Sequence, residues 1–194
     1  MVDQVAIFFL AGHETSASAL AWALYLVAEY PEWQERIAEE AATLDLSDFA
    51  NVARLKVSRD VFRETLRLYP PVPMMVRQAA QAECFRNRDV PKGAQIVLSP
   101  WHLHRHDRIW SDPDGFDPAR WGRDETRDCA RSAYIPFSAG RRVCTGAGFA
   151  MIEGPLLLAA LVRAFRFAPT ERPVPVAHLT VRARDGIRLH IARR

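Results

Sequence analysis

Ten consecutive residues, Phe137-Ser138-Ala139-Gly140-Arg141-Arg142-Val143-Cys144-Thr145-Gly146, carry the strongest chemical signal in this chain. A lone cysteine is ordinarily a small buried hydrophobe. The neighbours of Cys144 point elsewhere. Gly140 and Gly146 flank it, and glycine lets the backbone turn tightly and approach a flat ligand closely. An apolar run with the character of a helix begins just after the thiol. The sulfur would therefore sit near the positive end of that helix, where negative charge is favoured. Arg142 offers a fixed cation beside an anion, or a clamp for a carboxylate. Phe137 offers an aromatic wall.

Three further groups of residues are able to take part in chemistry. Glu64 and Arg67, three apart, share one face of a helix and can pair. Taken alone they describe a solvated surface pair worth about 0–1 kcal/mol. Ala11-Gly12-His13-Glu14-Thr15 sets a glycine, an acid and an alcohol inside an apolar helix. Glycine there costs about 1 kcal/mol relative to alanine, and threonine can bond back to the carbonyl one turn earlier. Taken alone, that segment is a helix surface with a polar patch. Arg77 ends a short β-type run after Pro70, Pro71 and Pro73. No Cys-x-x-Cys pair supports a zinc site, and Cys84 and Cys129 read as structural or surface thiols.

The elements that must position these groups follow from pattern. Residues 2–29 form one long helix rich in Ala and Leu. Pro31 suits the first turn of a second helix running to about Thr43. Ser58 is a plausible N-cap for a helix over 58–69, stopped by the prolines that follow. Residues 74–100 change to short strands, Met74–Arg77 and Gln95–Leu98, around the turn signal Asp89-Val90-Pro91-Lys92-Gly93. Residues 101–110 have room for one short helix. From 111 to 136 the pattern is irregular and rich in Asp, Pro and Arg, a long loop of the kind that is functional or disordered. A final apolar helix covers 145–165. The tail, 166–191, alternates as a strand and then a hairpin turning at Asp185-Gly186. The fold class is mainly α with small β-sheets, an α+β arrangement.

The run from Phe137 to Gly146 resembles the heme-binding loop of the cytochromes P-450, Phe-x-x-Gly-x-Arg-x-Cys-x-Gly, with every fixed position filled. In that family the axial thiolate pushes electron density to the iron and favours O–O cleavage. The resemblance implies that Cys144 binds the iron of heme b (iron protoporphyrin IX) and that Arg142 pairs with a propionate. It further implies that Phe137 shields the sulfur and that Gly140 and Gly146 admit backbone amides to it. Glu64-Thr65-Leu66-Arg67 is similar to the family's Glu-x-x-Arg helix, and Phe116–Trp121 to its meander. Glu64, Arg67 and Arg120 would then form a structural network. Ala11–Thr15 is similar to the distal-helix motif: Thr15 would assist oxygen activation, Glu14 would stand in the proton relay, Gly12 would leave room for oxygen or substrate, and Ala11 would border the cofactor. His13 fills a variable position and receives no role. Arg77 resembles the arginine that takes the other propionate. Residues 72–76 and part of 177–180 would line the substrate pocket.

The implied activity is oxidation, typically hydroxylation, of a small apolar organic substrate with O2 and two electrons. These would come ultimately from NAD(P)H through a ferredoxin- or flavin-type donor, with Arg131, Arg141 and Arg142 as basic docking residues. The resemblance spans residues 1–194 as a partial domain, the C-terminal half of longer chains. Two other readings fit the same residues: a heme-binding remnant without turnover, and a peroxide-using or isomerase-type member of the scaffold. The Glu14-Thr15 pair argues against the last.

Bulk properties agree. The 26 basic and 23 acidic residues leave a net charge of +3, too small an excess for a nucleic-acid binder driven by phosphate contacts. Three cysteines do not make a disulfide framework, which suits a reducing, cytoplasmic compartment. The apolar residues 5–30 lack a preceding basic region and are interrupted at 13–15, so they read as a helix buried in protein and not as a membrane span. Such a helix needs cover on most sides. Residues 5–28 are therefore expected to expose a large apolar patch when this chain stands alone.

Overall fold

A computed structural model describes residues 1–194. Helices dominate, joined by four two-stranded antiparallel sheets. The long helix α1 (Val2–Glu29) is followed by α2 (Pro31–Ala42) and α3 (Lys56–Leu68). Strands β1 (Met75–Gln78) and β4 (Gln95–Leu98) pair around a small hairpin, β2 (Glu83–Phe85) with β3 (Arg88–Val90). A one-turn helix α4 (Pro100–Leu103), a 3-10 turn (Pro118–Gly122) and α5 (Asp124–Ala133) lead to the cysteine loop. Then come α6 (Ala147–Ala164) and strands β5 (Phe165–Pro169), β6 (Pro175–Ala177), β7 (Val181–Ala183) and β8 (Leu189–Arg193).

The core lies where α1, α2, α3 and α6 meet. Trp22, Ile37, Phe62 and Leu158 are among its buried residues. The C-terminal half of α1 enters it from Ala19 onward, while Val5, Phe8, Phe9 and Leu10 are 65–71% exposed. The expectation of one buried helix thus holds for only half its length. The bare patch is the N-terminal half, and not all of 5–28. By length and composition α6 is apolar enough to cross a membrane, yet its Leu158, Ala159 and Val162 are fully buried in this core.

Several boundaries differ from the sequence expectation, each for a tertiary reason. Helix α3 starts at Lys56, and Ser58 does not cap it. Its first-turn amides, Val57 and Ser58, donate instead to the carboxylate of Glu40 on α2, at 2.7 and 2.9 Å. The loop 111–136 contains a 3-10 turn and the ten-residue helix α5, whose only buried residues are Thr126 and Ala133. The turn signal Asp89–Gly93 is a turn, closed by Ala94 donating to the Pro91 carbonyl at 3.1 Å with Gly93 at φ 87°, but a further hairpin, β2–β3, turns before it at Arg86 and Asn87, both with positive φ. In the tail, β5 pairs with β8, and β6 with β7 across His178–Thr180. Asp185-Gly186 is a real turn, with Gly186 at φ 80°, but β7 and β8 on either side of it do not pair with each other.

Candidate functional site

A cleft of about 1440 Å³ opens between α1, the start of α6, β1 and the cysteine loop. It exceeds the roughly 300–1,000 Å³ of ordinary small-ligand sites. Gly140 takes φ 68° and Ser138 takes φ 67°, so the loop doubles back on itself. The Cys144 amide donates to the Phe137 carbonyl at 2.8 Å, closing the turn. The thiol of Cys144, Phe137, Arg142 and Gly146 all line the cleft. Cys144 is exposed and unbridged. A Cβ added at Gly146 would meet only the Cys144 sulfur, at 3.9 Å, and one at Gly12 or Gly140 would meet nothing within 4 Å. Protein packing therefore does not demand glycine at these three places. What they border is open cleft or solvent.

Arg77 and Arg142 bring two guanidiniums to the same cleft. Arg77 donates to the Ser138 hydroxyl at 2.9 Å and to the Val76 carbonyl at 3.0 Å. Arg142 has no hydrogen-bond or ion-pair partner in the protein. Neither pairs with a carboxylate of this chain, an arrangement that suits a ligand bringing its own acids. Together with a free thiol beside the start of α6, the donor set fits a dicarboxylate macrocycle with a thiolate-seeking metal.

Across the cleft stands α1. Ala11, Gly12 and Thr15 line it, and the Thr15 hydroxyl donates to the Ala11 carbonyl at 2.7 Å. His13 lines it too, stacked on Phe9 with centroids 6.1 Å apart, although nothing in the local pattern singles it out. Glu14 does not line the cleft. Its Oε1 accepts from the Thr180 hydroxyl at 2.7 Å, just before β7, and from Arg182 Nε at 2.8 Å, on β7. The Arg182 guanidinium, then the Thr180 hydroxyl, hold the Glu14 carboxyl below its ordinary value. One turn and two turns further along the same face, Ser18 and Trp22 donate to the Val181 carbonyl at 2.7 and 3.0 Å. This face of α1 grips β7, and its neighbouring face borders the cleft. Val72, Met75 and Val76 join the cleft, whereas Pro73, Met74 and Ala177 line a separate 300 Å³ cavity.

Glu64, Arg67 and Arg120 do come together. All three are at most 1% exposed. Arg67 makes a two-pronged pair with Glu64, Nη2 to Oε1 at 2.8 Å and Nε to Oε2 at 3.1 Å. Arg120 Nε donates to Glu64 Oε1 at 2.9 Å. The remaining donors of the two guanidiniums reach carbonyls of residues 104 and 111–115. A solvated surface pair is thus excluded. The cluster pins the loop before α5 to α3.

Two contributors had no sequence signal. Gly154 on α6 faces Phe62 on α3, and a Cβ there would lie 2.2 Å from the ring. His104, fully buried, bonds through both ring nitrogens. A histidine spaced within the run Trp101–Trp110 is the only hint in the sequence, and it does not say which of three histidines is buried.

Known proteins of similar sequence and fold belong to one family. Cytochrome P450 4A10 of Mus musculus is 36% identical over 196 residues, covering 97% of this chain and 38% of the relative. Cytochrome P450 4A11 of Homo sapiens is 36% identical over 200 residues, covering 98% and 38%. Among solved structures, the cytochrome P450DA heme domain superposes with a TM-score of 0.89 at 32% identity, covering 98% of this chain and 44% of that one. A 6-coordinated cytochrome P450 from Thermus thermophilus gives 0.77 at 32% identity, covering 93% and 46%. The chain therefore spans less than half the length of these relatives. The family model described as cytochrome P450 matches residues 1–189, and the chain belongs to that family.

Proposed function

We propose that this chain is the heme-anchoring part of a heme-thiolate monooxygenase, with Cys144 as the residue that would bind the heme iron. One observation carries the reading: a free thiol and two guanidiniums without carboxylate partners line one cleft opposite Thr15. Bound there, heme b would supply activation of O2 with two electrons drawn from NAD(P)H through a ferredoxin- or flavin-type donor. The protein's part is positional and electrostatic. Arg77 and Arg142 would hold the propionates, and Phe137 would shield the sulfur, exposed in the chain alone, on one side. Gly140 and Gly146 would let the cysteine loop approach the heme closely, and Ala11 and Gly12 would leave room on the α1 side of the cleft. The Thr15 hydroxyl handles protons at that side. Glu14 joins it only when its carboxylate leaves Arg182. Small apolar substrates fit the Val72, Met75 and Val76 lining, and exposed Arg131, Arg141 and Arg142 suit an acidic donor protein. Three free cysteines, one of them the exposed Cys84, suit a reducing cytoplasm.

The test is a reduced carbon-monoxide difference spectrum of the chain supplied with heme, beside Cys144→Ala. A strongly red-shifted thiolate-type Soret band, lost in the variant, is expected. A histidine-type band unchanged by the substitution would overturn the assignment. A second reading, a heme-binding piece without turnover, is favoured by the bare N-terminal half of α1. A normal thiolate band without substrate oxidation, when reduced donor and O2 are supplied, would select it.

A further inference from the structure

The His104 ring, fully buried, lies where three stretches meet: the end of α3, the turn after α4, and residues 134–137 leading into the cysteine loop. Its Nδ1 lies 3.2 Å from the Arg67 carbonyl oxygen. Its Nε2 accepts from the Ile135 amide at 2.9 Å. A carbonyl can only accept and an amide N–H can only donate. The two partners therefore require the proton on Nδ1 and a bare lone pair on Nε2, a neutral ring in a single tautomer. The backbone carbonyl of His104 also accepts from Arg67 Nη1 at 2.8 Å. Residue 104 thus grips Arg67 through both its main chain and its side chain.

Beyond Ile135 the bonds continue toward the thiol. The Ile135 carbonyl accepts from the Ser138 amide at 3.1 Å, and the Phe137 carbonyl accepts from the Cys144 amide at 2.8 Å. The Ser138 hydroxyl accepts from Arg77. A short bonded path therefore joins the buried Glu64–Arg67–Arg120 network to the loop that presents Cys144 and to one of the two propionate-seeking guanidiniums.

We propose that His104 is a positioning residue for the Cys144 loop: its neutral ring transmits the register of the buried ion network to the Ile135 amide, and protonation releases that link. A protonated ring would turn Nε2 from acceptor into donor, facing another donor. The charged groups around the ring are the guanidiniums of Arg67 on α3 and Arg105 in the following turn, and both oppose a second cation. Tyr134, 5.4 Å away, covers one side of the ring, and burial pushes its phenol up, so it stays neutral. Burial lowers the His104 ring, the Arg67 carbonyl partly restores it, and the two cations lower it again, to about 4.

Only the consequence at the sulfur rests on the heme-thiolate reading, so the test begins without heme. Histidine nitrogen NMR on the full chain should show one of the six histidines as the Nδ1–H tautomer, neutral throughout the range where an ordinary histidine titrates. Exchange of the Ile135 amide should rise about tenfold or more in His104→Ala, the scale of a lost buried hydrogen bond. It should stay slow in His104→Gln, whose amide offers a donor and an acceptor and cannot take up a proton. With heme supplied, acid should convert the thiolate band of the wild type. The Gln variant should keep that band to lower pH, and the Ala variant should lose it already near neutrality. A ring found as the Nε2–H tautomer, or unchanged Ile135 exchange in His104→Ala, would overturn the proposal. Absence of any thiolate band in the wild type would sink the Cys144 reading, while the tautomer and exchange results would still decide this one.

Discussion

Glu14 and Thr15 are adjacent in sequence and face different surroundings. On a helix, neighbours point about 100° apart, so Thr15 borders the cleft while Glu14 lies against β7. The Glu14 carboxyl is held below its ordinary value chiefly by Arg182. Arg182→Ala should raise it toward the usual carboxylate range, leaving the Thr180 bond and the nearby His13 to hold it down. A carboxyl-resolved NMR titration reads this directly, and an unmoved midpoint would mean that the ion pair does not form in solution. Glu64 presents the opposite case, a carboxylate with no exposure and two guanidiniums on it. Glu64→Ala strands two buried cations and should cost about 3–5 kcal/mol, measured by chemical denaturation. Much of the site was legible at this scale because its motifs are contiguous. Cysteine, glycines and arginine sit within ten residues, and their spacing is the signal. His104 was not legible, since its partners lie 37 and 31 residues away and no local pattern records them. Nor does spacing along α1 say that Glu14 turns from the cleft. That depends on a hairpin more than 160 residues later.

Helices α3 and α6 cross where Gly154 meets Phe62, and no side chain fits between them. Gly154→Ala forces the Phe62 ring or the helix to move and should destabilise the fold by about 1–3 kcal/mol. The double variant with Phe62→Leu should recover part of that loss, and additive losses would show that the two sites are uncoupled. The sequence pattern located the long elements well, because α1, α2 and α6 carry continuous apolar or strongly patterned faces. It failed on elements whose cause is remote. Helix α5 is mostly polar and buries only Thr126 and Ala133, so no apolar run marks it. Helix α3 begins early because a carboxylate from α2 satisfies its free amides. The partner of β5 is β8, twenty or more residues on, and pairing at that distance leaves no trace in either strand alone.

At the scale of the molecule, the N-terminal half of α1 is the weak feature. Phe8, Phe9 and Leu10 stand in solvent beside Val5 and Ile7, and a patch of that kind promotes association. The chain alone should bind a hydrophobic dye and self-associate. Phe8→Ser with Phe9→Ser should lower both dye binding and apparent mass in light scattering. Acid is the second whole-molecule liability. The unfolded His104 ring takes up a proton at its ordinary value, while the folded ring refuses it until about 4. Stability should therefore fall as pH drops through that window, by up to about 3 kcal/mol in total, and His104→Gln should flatten the profile. Finally, Arg194, just after β8, ties that strand to α2 and α6. Its guanidinium pairs with Glu35 at 2.7 Å, and its amide donates to the Ala164 carbonyl at 3.1 Å. During synthesis on a ribosome, α2 and α6 emerge well before strand β8 and Arg194 leave the exit tunnel. The β5–β8 seam can be sealed only afterwards, so a chain truncated before Leu189 would leave β5 without its partner strand and should be cut there readily by protease, while resistance there would mark the pairing of β8.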